Sequence, residues 1–163
     1  MQDFVHLHVH TQYSLLDGQA SVARLVDKAM QNGMKGIAVT DHGNMFGIKE
    51  FTNYVNKKNS GPKGEIKDLK KRIAGIEAGT IECEDKEAEI AACKAGIVEA
   101  ENKLFKPIIG CEMYVARRTM DLKEGKPDQS GYHLIVLAKN EKGYHNLIKF
   151  CLLYTSPSPR DRG

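Results

Sequence analysis

Residues 4–10 read Phe-Val-His-Leu-His-Val-His, a strict two-residue alternation. That period belongs to a β-strand. It places Phe4, His6, His8 and His10 on one face and Val5, Leu7 and Val9 on the other. A chain that opens this way predicts a sheet with a row of imidazoles along one strand.

The rest of the chain alternates strand and helix signals. A polar loop, Thr-Gln-Tyr-Ser-Leu-Leu-Asp-Gly, covers 11–18. From Ser21 to Asn32 the apolar Val22, Leu25, Val26, Ala29 and Met30 recur at helical spacing, with Ser21 as N-cap and Gly33 just past the end. The run Gly-Ile-Ala-Val-Thr at 36–40 predicts a buried strand that ends in the loop Asp41-His42-Gly43-Asn44. A helix is expected over about Phe46 to Lys57. Residues 107–116 predict an extended segment with Glu112 in its middle, 117–131 a charged loop, 133–138 a strand and Glu141 to Leu152 a helix. Strands separated by helices imply an α/β fold with a largely parallel sheet of about four strands and three core helices.

The segment 59–104 differs in character. Ser60-Gly61-Pro62-Lys63-Gly64 reads as a linker. Ile66, Leu69, Ile73 and Ile76 then repeat at 3,4,3 spacing, and Ile90, Cys93, Ile97, Ala100 and Leu104 at 3,4,3,4, across a break near Gly79 to Asp85. Two such stripes predict an antiparallel helical hairpin, inserted between 1–58 and 105–151 of one α/β domain. Its charges read as a solvated face. Residues 152–163 lose the helical pattern abruptly and are expected to be a non-native or disordered tail, with the natural sequence stopping near Cys151.

Charge and composition exclude several classes. With 24 Lys+Arg against 21 Asp+Glu, a net charge of +3 does not mark a nucleic-acid binder by bulk charge. No apolar run reaches the length of a membrane span, and the N-terminus lacks the basic and apolar regions of a signal peptide, so a cytoplasmic location is expected. Cys83, Cys93, Cys111 and Cys151 form no CxxC pair and are expected to be reduced thiols.

The chemistry-bearing residues cluster. On a strand, His8 and His10 point the same way with Cβ atoms roughly 6–7 Å apart, which suits one divalent ion or two adjacent ones, although a lone His-x-His serves equally as surface or core histidines. His42 follows a buried strand, where parallel α/β proteins collect their chemistry. Asp41 either ligates or orients His42. Asp17 folds back over the site or simply forms an Asp-Gly turn. Glu112, among apolar neighbours, is costly unless paired or metal-bound. His6 is expected one pleat deeper, in a packing or supporting role. His133 begins its strand, so spacing alone makes it structural, and His145 reads as a surface residue. No P-loop, GxSxG or zinc-finger spacing occurs.

Four blocks, FVHLHVHTQYSLLDG, GIAVTDHGNMFGIKEF, KPIIGCEMYVARR and YHLIVLAKNEKGYHNL, resemble in order and spacing the PHP (polymerase and histidinol phosphatase) domain family, in the form that opens the bacterial replicative DNA polymerase III alpha subunits. The resemblance covers about 1–58 and 105–151. It implies the N-terminal part of a distorted seven-stranded (β/α) barrel with up to three metal ions, Zn²⁺ or Mn²⁺. It places ligands on His8, His10, Asp17, His42, Glu112 and His133, reversing the structural reading of His133. Family sites are completed by a Cys and a later Asp-x-His motif that match no position here, so the chain alone is expected to be a poor hydrolase.

The resemblance further implies a phosphoesterase or 3′–5′ exonuclease site within a nucleotidyltransferase. That parent would use Mg²⁺, DNA and dNTPs, with the sliding clamp and a proofreading exonuclease among its replisome partners. A stand-alone phosphoesterase resembling histidinol phosphatase, or a non-catalytic replisome scaffold, remain the alternatives.

Overall fold

The computed structural model describes residues 4–119, 121–122, 124–125 and 131–154, with residues 153 and 154 described by backbone alone. The expected tail beyond Tyr154 and part of the 117–131 loop lie outside the described residues. The elements are α1 (Val22–Gln31), β1 (Gly36–Val39), α2 (Ile48–Lys58), α3 (Ser60–Glu77), α4 (Lys86–Asn102), β2 (Lys106–Val115), β3 (Tyr132–Leu137) and α5 (Glu141–Tyr154). The chain divides into two compact units, with boundaries between Thr52 and Asn53 and between Lys106 and Pro107.

The first unit is built on a sheet of order β1-β2-β3. All four residues of β1 are buried. Val22, Val26 and Ala29 of α1, Ile48 and Phe51 of α2, Cys111 of β2 and Leu147 of α5 are buried with them. α1 stops where its sequence says it should. Gly33 adopts φ 75°, and its N–H and that of Met34 return to the carbonyls of Met30 and Ala29 at 3.0 Å each, the paired bonds of a Schellman cap.

Two expectations are corrected in this unit. Residues 4–10 are extended but form no regular strand, and Leu7 is a bend. Ala38 N–H reaches the carbonyl of His6 at 2.9 Å, whereas Thr40 N–H reaches that of Val9, also at 2.9 Å. Three residues on the N-terminal segment therefore oppose two on β1. A regular parallel ladder would take the carbonyl of His8 next, so the extra residue acts as a bulge and breaks the alternation between His6 and His8. His6 is exposed and sets its ring edge-on against Phe4, 4.7 Å between centroids, instead of sitting a pleat deeper.

The sheet is also not parallel throughout. β2 and β3 pair antiparallel, with Glu112 opposite Ile135 and Tyr114 opposite His133. The connection between them contains no helix among the described residues, and a parallel return needs a crossover, usually helical.

The second unit holds α3 and α4, packed through Ile76, Cys93 and Ala100. Gly79 at φ 72° ends the first helix, and the Asp85 side chain accepts the Ala88 N–H at 3.0 Å to start the second. The expected linker is instead helical: α3 begins at Ser60, with Asn59 alone between it and the end of α2. Pro62 falls in the first turn, where no intrahelical acceptor exists for the N–H it lacks. Asn59 closes the base of the hairpin. Its side chain donates to the Phe105 carbonyl at 2.8 Å and accepts the Phe105 N–H at 2.9 Å. At the other end of the chain, α5 runs to Tyr154, two residues past the expected helix end at Leu152.

Candidate metal centre

The site assembles from the N-terminal segment, the loop 11–18, the exit of β1, the middle of β2 and the start of β3. Glu112 is its centre. Its N–H donates to the Asp41 carbonyl at 3.1 Å, and its own carbonyl accepts from Gly43 at 2.8 Å, so the exit of β1 is clamped in parallel to the middle of β2. The loop 11–18 is held against this exit. Ser14 Oγ accepts the His42 N–H at 2.7 Å, and Asn44 Nδ2 donates to the carbonyl of Tyr13 at 3.1 Å. Within the loop, Asp17 and Gly18 N–H both return to the Ser14 carbonyl, at 3.0 and 2.8 Å. Gly18 is required there, because a Cβ would lie 2.0 Å from the Thr11 carbonyl oxygen. Leu16 is the one described non-glycine residue at positive φ, 81°, immediately before Asp17.

These contacts bring six side chains together. His10 Nε2 lies 2.6 Å and His8 Nε2 3.4 Å from Glu112 Oε2, and the two ring nitrogens are 3.0 Å apart. His133 Nδ1 meets the other carboxylate oxygen, Oε1, at 2.7 Å. His42 Nδ1 stands 2.9 Å from Asp17 Oδ2 and 3.7 Å from Glu112 Oε2. The histidines are graded in exposure, from 50% at the His8 side chain to 19% at His10 and His42, while the Glu112 side chain is only 7% exposed.

Burial alone would raise the Glu112 carboxyl. The His133 hydrogen bond and the positive potential of His10 and His42 outweigh it and hold the group below the ordinary glutamate range.

The donor set fits a divalent ion. His8, His10 and Glu112 form one group and His42, Glu112 and His133 a second, each with ligand atoms within 4.8 Å of one another. A tetrahedral ion with bonds of about 2.0–2.1 Å separates its donors by about 3.4 Å. The spacings of 2.6, 3.0 and 3.4 Å in the first group are near that value. Glu112 Oε2 is buried with no hydrogen bond of normal geometry, although two ring nitrogens face it. A buried carboxylate oxygen without a donor is costly, and lone pairs converging from three sides are what a cation satisfies.

Asp41 plays a part the sequence did not suggest. Its carboxylate neither joins the cluster nor touches His42. It accepts the Thr11 N–H at 2.6 Å and the Thr11 hydroxyl at 2.8 Å, with both residues buried, and so pins the chain immediately after His10.

His133 enters through the antiparallel pairing. Reversal of β3 brings its first residues, not its last, to the end of the sheet where β1 exits. Sequence reasoning missed Tyr114. Its hydroxyl contacts His42 Nε2, and its ring packs 4.7 Å from His42 and 4.8 Å from His133. The available signal was its position two residues after Glu112, which puts both on one face of β2.

Comparison with known proteins identifies the family. The PHP domain family matches over residues 6–98 and 90–157. The chain belongs to the PHP family. Curated relatives named DNA polymerase III subunit alpha include those of Borreliella burgdorferi, 40% identical over 149 residues, and Treponema pallidum, 38% over 146 residues. That of Aquifex aeolicus is 34% identical over 158 residues. These alignments take in 90%, 89% and 93% of this chain but only 9%, 9% and 10% of the relatives. The PHP chain thus spans about a tenth of the length of the polymerase subunits it matches. Among its described residues no helix is long and apolar enough to cross a membrane.

Proposed function

We propose that this PHP chain is part of a DNA polymerase III alpha subunit and that its His/Glu cluster is a divalent-metal centre acting on phosphodiesters, as a 3′–5′ exonuclease would. The observation that carries the reading is the buried, undonated Oε2 of Glu112 facing the Nε2 atoms of His8 and His10. His8, His10 and Glu112 would hold one ion, and His42, His133 and the shared Glu112 another, with Asp17 beside His42. Zn²⁺ or Mn²⁺ suits the mixed imidazole and carboxylate donors. Bound there, such ions supply a water of lowered pKa and neutralise phosphate charge.

The chain's own residues supply the positioning. Glu112 offers one carboxylate oxygen to each histidine group. His42 Nδ1 and Asp17 Oδ2, 2.9 Å apart, would offer their lone pairs to the same ion, while the Tyr114 hydroxyl contacts the other ring nitrogen and orients the imidazole. His8 and His133 are the half-exposed members and face the solvent from which substrate arrives.

The three-stranded sheet is read as part of the larger PHP barrel, with α3 and α4 as an insertion. The remaining polymerase chemistry, with its DNA, dNTPs, Mg²⁺ and replisome partners in the cytoplasm, is assigned to the parent subunit.

The test is metal content and hydrolysis together. The purified chain, stripped with chelator, should take up Zn²⁺ or Mn²⁺ in elemental analysis after dialysis. Glu112→Gln and His10→Ala should each lose most of it while keeping the helical circular dichroism signal. Release of 3′ nucleotides from a labelled primer, measured with the chain and with the whole parent subunit, checks the reaction. Metal uptake unchanged in both variants would overturn the centre. Uptake without turnover in the intact parent would leave a structural metal and remove the exonuclease.

A further inference from the structure

We propose that one face of α3 is a docking surface for the phosphate backbone of a nucleic acid. The inference needs nothing from the metal centre and stands or falls separately from it.

At 3.6 residues per turn, Lys63, Lys67, Lys70 and Lys71 fall within about 100° of arc on α3 and extend about 12 Å along it. All four are exposed. With Ile66 and Ala74 they line one shallow groove. No acidic residue falls inside the stripe. Glu65 lies on the far side, Asp68 flanks the stripe about 60° from Lys71, and Glu77 follows on the same face six residues beyond Lys71.

The charges facing α4 are already paired. Arg72 binds Glu89 at 2.7 Å, and Glu65 approaches Lys103 at 3.9 Å. The Lys63 ammonium donates to the neutral Asn56 side chain at 2.9 Å. Among the described residues no carboxylate pairs with Lys67, Lys70 or Lys71.

This is not how a helix decorates a face meant only for water. A solvated surface helix interleaves signs, so that residues four apart attract. Here Lys63 and Lys67, and Lys67 and Lys71, are four apart and repel. The packing of α3 on α4 tolerates that repulsion and gains nothing from it. A partner that resolves it must be polyanionic with closely spaced charges. Duplex DNA carries one phosphate per about 1.7 Å of axis, so about seven phosphates run beside a 12 Å stripe. The net charge of +3 hides the patch, because 21 Asp and Glu along the whole chain offset 24 Lys and Arg.

The experiment is fluorescence anisotropy of the whole chain with a labelled 20-base-pair duplex across a salt series. Three proteins are compared: the unaltered chain, Lys67→Gln/Lys70→Gln/Lys71→Gln, and a charge-matched control, Lys28→Gln/Lys49→Gln/Lys142→Gln. Binding through four lysines gives a log–log salt slope of about −3.6, falling to about −0.9 in the α3 variant, with affinity at least tenfold weaker at low salt. The control should keep the steep slope. Equal loss in both triple variants would overturn the proposal, reducing it to non-specific charge. Tight binding of polyglutamate with none of DNA would also overturn it, in favour of an acidic protein partner. Circular dichroism on all three verifies that the helices persist.

Discussion

Replacing Asp41 tests whether a buried carboxylate outside the ligand set governs the centre. Asp41 is 1% exposed and Thr11 fully buried, and the two share bonds of 2.6 and 2.8 Å. Hydrogen bonds to a charged group contribute about 1.5–3 kcal/mol each. Asp41→Ala removes both and leaves the Thr11 N–H and hydroxyl without their acceptor. The expected cost is about 3–5 kcal/mol, a large share of the roughly 5–15 kcal/mol that holds a domain together.

Asp41→Asn separates charge from shape. Its amide oxygen still accepts the Thr11 N–H, and the Thr11 hydroxyl rotates to accept from the new NH₂. Only the charge assistance is lost, about 1–1.5 kcal/mol. Because Thr11 directly follows His10, loosening it displaces a ligand, and losses of about 10–100-fold in metal affinity accompany such supporting changes. Urea unfolding gives the stability of each variant, and chelator competition gives Zn²⁺ affinity. The expected order in both is unaltered chain, then Asn, then Ala. If Asp41→Ala unfolds within 0.5 kcal/mol of the unaltered chain and binds Zn²⁺ equally well, the pinning role is refuted.

Other substitutions probe separate features. Tyr114→Phe keeps the ring beside His42 and His133 but removes the hydroxyl on His42 Nε2, so the visible spectrum of the Co²⁺-loaded chain should shift while the unfolding midpoint barely moves. Gly110→Ala should cost about 1–3 kcal/mol by thermal or urea unfolding. Its Cβ would meet Leu137 Cδ2 and the Val136 carbonyl at 2.7 Å and Thr40 Cγ2 at 2.8 Å, wedging β2 from both neighbours. Asn59→Ala should raise amide exchange at Phe105 and destabilise by about 2 kcal/mol, since two buried backbone groups lose their partner. Unchanged exchange at Phe105 would show that its amide is protected in another way.

Local periodicity read the helices and the buried strand well, because each rests on side chains within a few residues. The Val22–Met30 spacing, the Gly36–Val39 run and the two stripes of the hairpin became α1, β1, α3 and α4. What escaped depends on partners far along the chain. The bulge at Leu7 comes from pairing with β1, which alternation alone does not record. The direction of β3 follows from a connection without a crossover helix, and that direction alone carries His133 to Glu112. Pro62 and its glycine neighbours looked like a linker because propensity weighs residues singly, whereas in the first turn of α3 the missing N–H costs nothing. Asp41 was drawn to His42 by adjacency, yet its partner lies 30 residues earlier.

The paired bonds between Asn59 and Phe105 have a consequence for how such a chain can change length. They join residues 46 apart and hold the start and finish of the hairpin side by side. What lies between is topologically a closed excursion. Closure entropy grows only with the logarithm of length, about 0.6 kcal/mol for each doubling. Residues 60–104 can therefore be shortened, lengthened or exchanged for another folding unit whose ends meet, at little energetic penalty while the clamp survives. The asparagine is a splice point at which new modules can be tried without renegotiating the sheet.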